Sequence, residues 1–407
     1  MPKIVLFFAI FLIVFGKCVG KLPEQDMNVP ELVAYYGYPI ETITTETPDG
    51  YFLVLHRIPF GKNATMTDER RPVIFLQHGL FGSSADWSTN VPAQSAAYVF
   101  ADAGFDVWMG NVRGNVYSEK HRSFSRFSTK FWNFTFDDHA AIDLPVMVQT
   151  ILNITKEDSL YYVGHSQGTA IMFAQGSENQ PFAEKISAFF ALAPVTTVAH
   201  IRGTAIMFAQ GSENQPFAEK ISAFFALAPV TTVAHIRGLM AFIGARFGSK
   251  MGKIIEIFGA YDFLPSGFFE KLFAYVICGE KWFKNPLCSN LLFQIAGPDS
   301  KDINMTRVMI YMDHTPAGSS TKNVVHWAQM VASGKFCKYD YGTKNQEFYG
   351  QPTAPEYNIS KLRIPTYLYY SADDWLADPL DVEGNIIPKL NKTVLKESNH
   401  LGVYNHL

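Results

Sequence analysis

The sequence predicts an α/β fold: a mostly parallel sheet wrapped by helices and carrying a helical insertion. Three observations predict it. Short apolar runs alternate with helix-period segments through the first half of the chain, the signature of βαβ units. One such run, Leu160 to Val163, leads directly into Gly164-His165-Ser166-Gln167-Gly168 and then into small, helix-compatible residues. Between Gly238 and Gly297 the pattern changes to apolar, aromatic helices holding nine of the chain's 34 Phe, before strand-like runs resume. So much Phe between two sheet strands reads as a cap rather than more core.

In chain order, Tyr35 to Pro39, Glu41 to Thr47 and Tyr51 to Ile58 alternate as strands do, with Pro48-Asp49-Gly50 as a hairpin turn. Val73 to Leu76 is fully apolar, as a buried parallel strand must be, and runs into Gln77-His78-Gly79-Leu80. Pro92 to Ala103 reads as a helix stopped by Gly104, Phe105 to Met109 as a strand, and Asp137 to Leu152 as a helix. Thr169 to Gln175 and Ile186 to Val195 supply the next helix and strand. The insertion offers helices at Leu239 to Phe247, Met251 to Phe258 and Phe268 to Ile277. Ile364 to Tyr370 and Thr393 to Leu395 return to the sheet.

A chain of 407 residues, 48% hydrophobic and 17% charged, can bury a large core. Its formal net charge of -3 leaves no basic surplus for nucleic acid. No zinc-ligand spacing, phosphate-binding loop or dinucleotide fingerprint occurs, so neither metal nor cofactor is expected. Met1-Pro2-Lys3, an apolar run from Ile4 to Phe15 and Cys18-Val19-Gly20 have the form of a secretory signal over residues 1–20. That run is too short for a transmembrane anchor, which needs about twenty residues. Six sequons, at Asn63, Asn133, Asn153, Asn304, Asn358 and Asn391, agree with export. Loss of the signal leaves Cys278, Cys288 and Cys337, for which one bridge and one free thiol is the simplest count. Cys278 and Cys288 close a short loop and are the favoured pair, with Cys337 an open alternative.

Gly168 to Arg202 recurs residue for residue as Gly203 to Arg237. Two copies are too few for a solenoid, and both lie inside an α/β pattern. Each would supply one helix and one strand, so one copy is redundant to the sheet. Identity this complete is what a very recent duplication, or an error in assembling the sequence, produces.

Gly-x-Ser-x-Gly alone matches by chance in roughly one chain in seven of this length. A strand before it and a helix after it make it a nucleophile elbow, with Ser166 on a tight turn where a Cβ at Gly164 or Gly168 would clash. A serine hydroxyl needs a histidine to take its proton, and the histidine needs a carboxylate to hold its tautomer. Asp373, Asp374 and Asp378 follow one later strand; His400 and His406 follow the last. An oxyanion hole needs two backbone N–H groups, for which Gln167 and Leu80 occupy the right places. Arg113 and His314 read as structural polar residues.

Met27-Asn28-Val29, Tyr36-Gly37-Tyr38-Pro39, Leu76-Gln77-His78-Gly79-Leu80, Gly110-Asn111-Val112-Arg113-Gly114-Asn115, the elbow, Asp374-Trp375-Leu376-Ala377-Asp378-Pro379 and Tyr404-Asn405-His406-Leu407 occur in an order that resembles the gastric and lysosomal acid lipases. The resemblance covers nearly the whole mature chain. It implies an α/β-hydrolase fold and metal-free hydrolysis of neutral lipid esters, triacylglycerols or cholesteryl esters, at a lipid–water interface by a secreted or lysosomal monomer. It selects Asp374 as the acid and His406 as the base, beside Ser166 as nucleophile. The implied organisation is a signal over 1–20, a first core part over 21–237 with the duplication at 168–202 and 203–237, a cap over 238–345, and a second core part over 346–407. That last part stops one residue past His406, where the family continues. The competing readings are a lipid-binding protein that keeps the fold without catalysis, and an esterase of shorter, soluble esters.

Overall fold

The computed structural model describes residues 22–64, 70–192, 262–263, 304–371, 374 and 379–401. The signal, the second copy of the duplication, the three helices expected between 239 and 277, Cys278, Cys288 and His406 lie outside them.

One nine-stranded sheet organises the chain. Its strands are β1 (Glu41–Glu46), β2 (Tyr51–Ile58), β3 (Val73–Gln77), β4 (Asp106–Gly110), β5 (Lys120–His121), β6 (Leu160–His165), β7 (Ile186–Leu192), β10 (Thr366–Ser371) and β11 (Leu395–Leu401). β8 (Asp262–Phe263) and β9 (Ser319–Ser320) pair separately as a short antiparallel ladder. The spatial order is β1-β2-β4-β3-β6-β7-β10-β11, with β5 on the outer part of β2. β1, β2 and β5 are antiparallel, and the six strands from β4 to β11 are parallel.

The apolar runs are continuous because both faces are covered. Phe75, Trp108, Tyr162, Phe189 and Leu368 face one buried cluster, together with α3 (Leu144–Thr155), α4 (Gln167–Glu178) and α6 (Thr321–Ser333). Their neighbours Ile74, Val107, Val163, Phe190 and Tyr367 face the other, under α1 (Val29–Tyr35) and α2 (Ala96–Asp102). Trp327, Met330, Phe336 and Cys337, late in the segment read as cap, belong to the first cluster.

Three local readings are corrected. Tyr35 to Pro39 is no strand: Asn28 and Glu31 form a reciprocal cap, Pro30 sits in the first turn, and the helix so started runs to Tyr35 before Gly37 turns the chain at φ 83°. The helix expected from Asp137 starts at Phe136 but widens to a π turn over His139–Asp143. Pro145 lacks the N–H that would close the α-helical bond to Ala141. The last strand begins where it was expected to end, at Leu395, and takes in His400, which pairs with Tyr370.

A candidate active site at the strand-to-helix elbow

Ser166 sits between β6 and α4 with φ 51° and ψ −120°, a left-handed backbone that a serine adopts only under tertiary constraint. Its N–H donates to the Leu192 carbonyl at 3.0 Å, tying the turn to the end of β7. Glycine is required around it. A Cβ on Gly164 would lie 2.8 Å from the Gly168 backbone, one on Gly168 would lie 2.5 Å from the Gln77 carbonyl oxygen, and one on Gly79 would lie 2.8 Å from the Ser166 Cβ. The loop after β3 therefore passes against the serine side chain, and only glycine permits that approach.

That loop carries Leu80 and is held from two sides. His78 is buried; its Nε2 accepts from the Val112 N–H at 3.3 Å, so the proton resides on Nδ1, which donates to the Gly79 carbonyl at 2.8 Å. Burial, chiefly, pushes the imidazole down to about 4, so it is neutral at neutral pH. From the other side the Ala317 N–H donates to the Phe81 carbonyl at 2.6 Å, and the Val116 N–H donates to Ala317.

Gln167 opens α4, so its N–H has no acceptor within the helix. Its side chain is buried beneath the elbow. Oε1 accepts from the Trp327 indole at 2.6 Å and from Asn323 at 2.9 Å, and Nε2 contacts His139 Nδ1 at 3.3 Å. An indole can only donate, which settles the amide orientation and leaves the His139 proton on Nε2. Burial, then the charge of Arg113, lowers His139 well below an ordinary histidine. Asn323 and Trp327 lie one turn apart on α6, and sequence analysis missed both. Their spacing was visible, but nothing in it pointed to a partner 156 residues away.

Arg113 is held between two carboxylates. It lies buried over the Tyr51 ring, 4.0 Å from its centroid, between Asp143 (Nε to Oδ1, 2.8 Å) and Asp49 (Nη1 to Oδ2, 2.5 Å). Asp374 is wholly buried just past β10. His400 lies in β11 with its ring edge-on to Tyr370, centroids 5.4 Å apart. His314 ends α5 (Val308–His314). Cys337 is an unbridged, buried thiol whose pKa burial pushes up to about 11. Asn63, Asn133, Asn153, Asn358 and Asn391 are exposed; Asn304 is half-buried, its amide donating to Gln94 at 3.0 Å.

Comparison with known proteins gives concordant matches. The family "Partial alpha/beta-hydrolase lipase region" matches residues 29–91, and the family "alpha/beta hydrolase fold" matches residues 72–407. Lipase lipl-5 of Caenorhabditis elegans is 44% identical over 98% of this chain and 93% of its own length. Human gastric triacylglycerol lipase is 38% identical over 97% of this chain and 89% of its own. Human lysosomal acid lipase/cholesteryl ester hydrolase is 38% identical over 94% and 86%.

Proposed function

The chain belongs to the acid lipase family of α/β-hydrolases and is a carboxylic ester hydrolase, and from that premise we propose that it cleaves triacylglycerols or cholesteryl esters through Ser166, His406 and Asp374. The observation that carries the reading is the strained backbone of Ser166 at the strand-to-helix turn, with the Gly79 loop packed against its Cβ. Ser166 Oγ attacks the ester carbonyl as His406 takes its proton, and the C–O bond to the leaving alcohol breaks as the histidine returns that proton. Water then hydrolyses the acyl-enzyme by the same route. Asp374 holds the imidazole tautomer. The N–H groups of Gln167 and Leu80 stabilise the oxyanion, a contribution worth about 3 kcal/mol per donor in such enzymes.

We place the protein in the secretory pathway, secreted or lysosomal, acting as a monomer on lipid at an interface. Exposed sequons support this, as do the names of the gastric and lysosomal relatives. Among the described residues no helix is long and apolar enough to cross a membrane.

The test is Ser166→Ala, which should abolish hydrolysis of a long-chain ester while leaving the melting temperature near that of the wild type. A phosphonate probe should label Ser166 alone. Labelling elsewhere, or wild-type rates in the variant, would falsify the serine mechanism. Comparison of long-chain with short-chain esters separates a lipase from an esterase of soluble substrates.

A further inference from the structure

We propose that the segment from Val116 to Lys130 is a docking surface for a lipid layer bearing anionic headgroups, and that it seats the protein with the Ser166 edge of the sheet toward the lipid. The orientation rests on the ester-hydrolase reading; the docking itself does not.

The sheet register places this segment. β2 runs antiparallel to β4, with Leu55 opposite Gly110 at the carboxyl end of β4. Tyr51, four residues further along β2, pairs with His121 in β5. β5 therefore lies about 13 Å beyond the carboxyl edge at the usual rise per residue. Through β3, Gln77 pairs with Gly164, two residues short of Ser166. The serine and β5 thus leave the sheet at the same edge, with β5 standing further out.

The segment gathers exposed apolar and cationic side chains. Val116 is 40%, Phe124 36% and Phe127 86% exposed, three of the seven exposed large apolar side chains among the described residues. Between and beside them lie Lys120, Arg122, Arg126 and Lys130, all exposed, in a chain whose formal net charge is -3. Arg126 pairs with Glu119, and Arg122 with Glu46 at 2.6 Å. Lys120 and Lys130 have no ion-pair partner among the described residues. His121 stacks on Phe124 with ring centroids 4.3 Å apart; its Nδ1 accepts from the Ser123 and Phe124 N–H groups, and its Nε2–H donates to the Asp49 carbonyl at 2.8 Å, which fixes the ring that Phe124 stacks on. Exposed aromatics interleaved with unneutralised cations match a layer that is apolar inside and negative at its face.

The experiment is flotation of the full chain with vesicles of phosphatidylcholine alone and of phosphatidylcholine mixed with phosphatidylserine. Wild type should bind the mixed vesicles more tightly. Phe124→Ser/Phe127→Ser should lose binding to both. Lys120→Ser/Lys130→Ser should weaken binding to the mixed vesicles by about fivefold per cation and leave the neutral ones unchanged. Hydrolysis of a short soluble ester should be the same in all three proteins. Wild-type flotation by both variants overturns the proposal, as does a fall in soluble-ester turnover that tracks the binding loss. A wild-type dimer that the Phe variant dissociates would also overturn it, by assigning the patch to a second copy. If no ester is hydrolysed but wild type still floats and the variants do not, docking stands and the catalytic reading fails.

Discussion

Asp86 follows the Gly79 loop, and its carboxylate accepts from the Ser83 N–H at 3.3 Å. Burial pushes its pKa up to about 7, against the pull of those backbone bonds. A carboxyl whose folded pKa lies above its unfolded value favours folding at low pH and loses that contribution as pH rises from about 4 to about 7. His56 and His78 act oppositely. Burial lowers both to about 4, so their contribution is complete above about 6.5 and is lost as pH falls toward 4. We therefore expect Asp86→Asn to stabilise the protein at pH 7, by about 2 kcal/mol, and not at pH 4. With that opposing term gone, the variant should lose stability on acidification more steeply than wild type. Thermal melts across this range check it, and an equal gain at both pH values would contradict the assignment. For the general base, His406→Ala should lose several orders of magnitude in kcat while His400→Ala keeps its rate, since His400 belongs to a strand and touches Tyr370. The reverse pattern would move the base to His400.

At the scale of elements, α6 braces the elbow. Trp327 and Asn323 both donate to Gln167, and Ser320 Oγ caps the helix by accepting from the Asn323 N–H at 2.9 Å. Trp327→Phe keeps most of the buried ring area but removes the indole donor. We expect kcat on a soluble ester to fall about tenfold with KM little changed, because the first turn of α4 presents the Gln167 N–H. An unchanged kcat, or a loss confined to KM, would remove α6 from the positioning of the site. The fit between α4 and the β3 loop is equally unforgiving. Gly168→Ala should cost at least about 1–3 kcal/mol, since its Cβ would meet backbone rather than a movable side chain.

At the scale of the whole molecule, the sheet bears on the tandem copy. β7, from the first copy, pairs with β6 through Leu160–His165 and with β10 through Thr366–Tyr369, so both its edges are taken. A second strand of identical sequence finds no vacancy on either side, and Ile221 to His235 carries no formal charge at neutral pH. Left exposed, such a strand would invite aggregation. We expect protein from its natural source to carry one copy. Trypsin distinguishes the cases: the peptide Gly203 to Lys220, released after Arg202, arises only from two copies, whereas one copy leaves these residues within the longer peptide that begins at Glu157.

What the sequence by itself determined was local and periodic. Alternating apolar runs and helical segments announced the parallel sheet, and the elbow's glycines announced a turn that now proves to need them, because contacts between near neighbours are written in spacing. Even there, short-range chemistry could mislead: the aromatics of Tyr35 to Pro39 read as a strand, yet the Asn28–Glu31 cap upstream had already begun a helix. Only the tertiary structure could decide the rest. That Gly79 must spare the serine, that Gln167 rests on Asn323 and Trp327, and that His78 is held neutral with its proton on Nδ1 all depend on residues far apart in the chain. Burial then sets the pKa values, and burial belongs to the packed molecule; no residue carries it in its name or in its nearest neighbours.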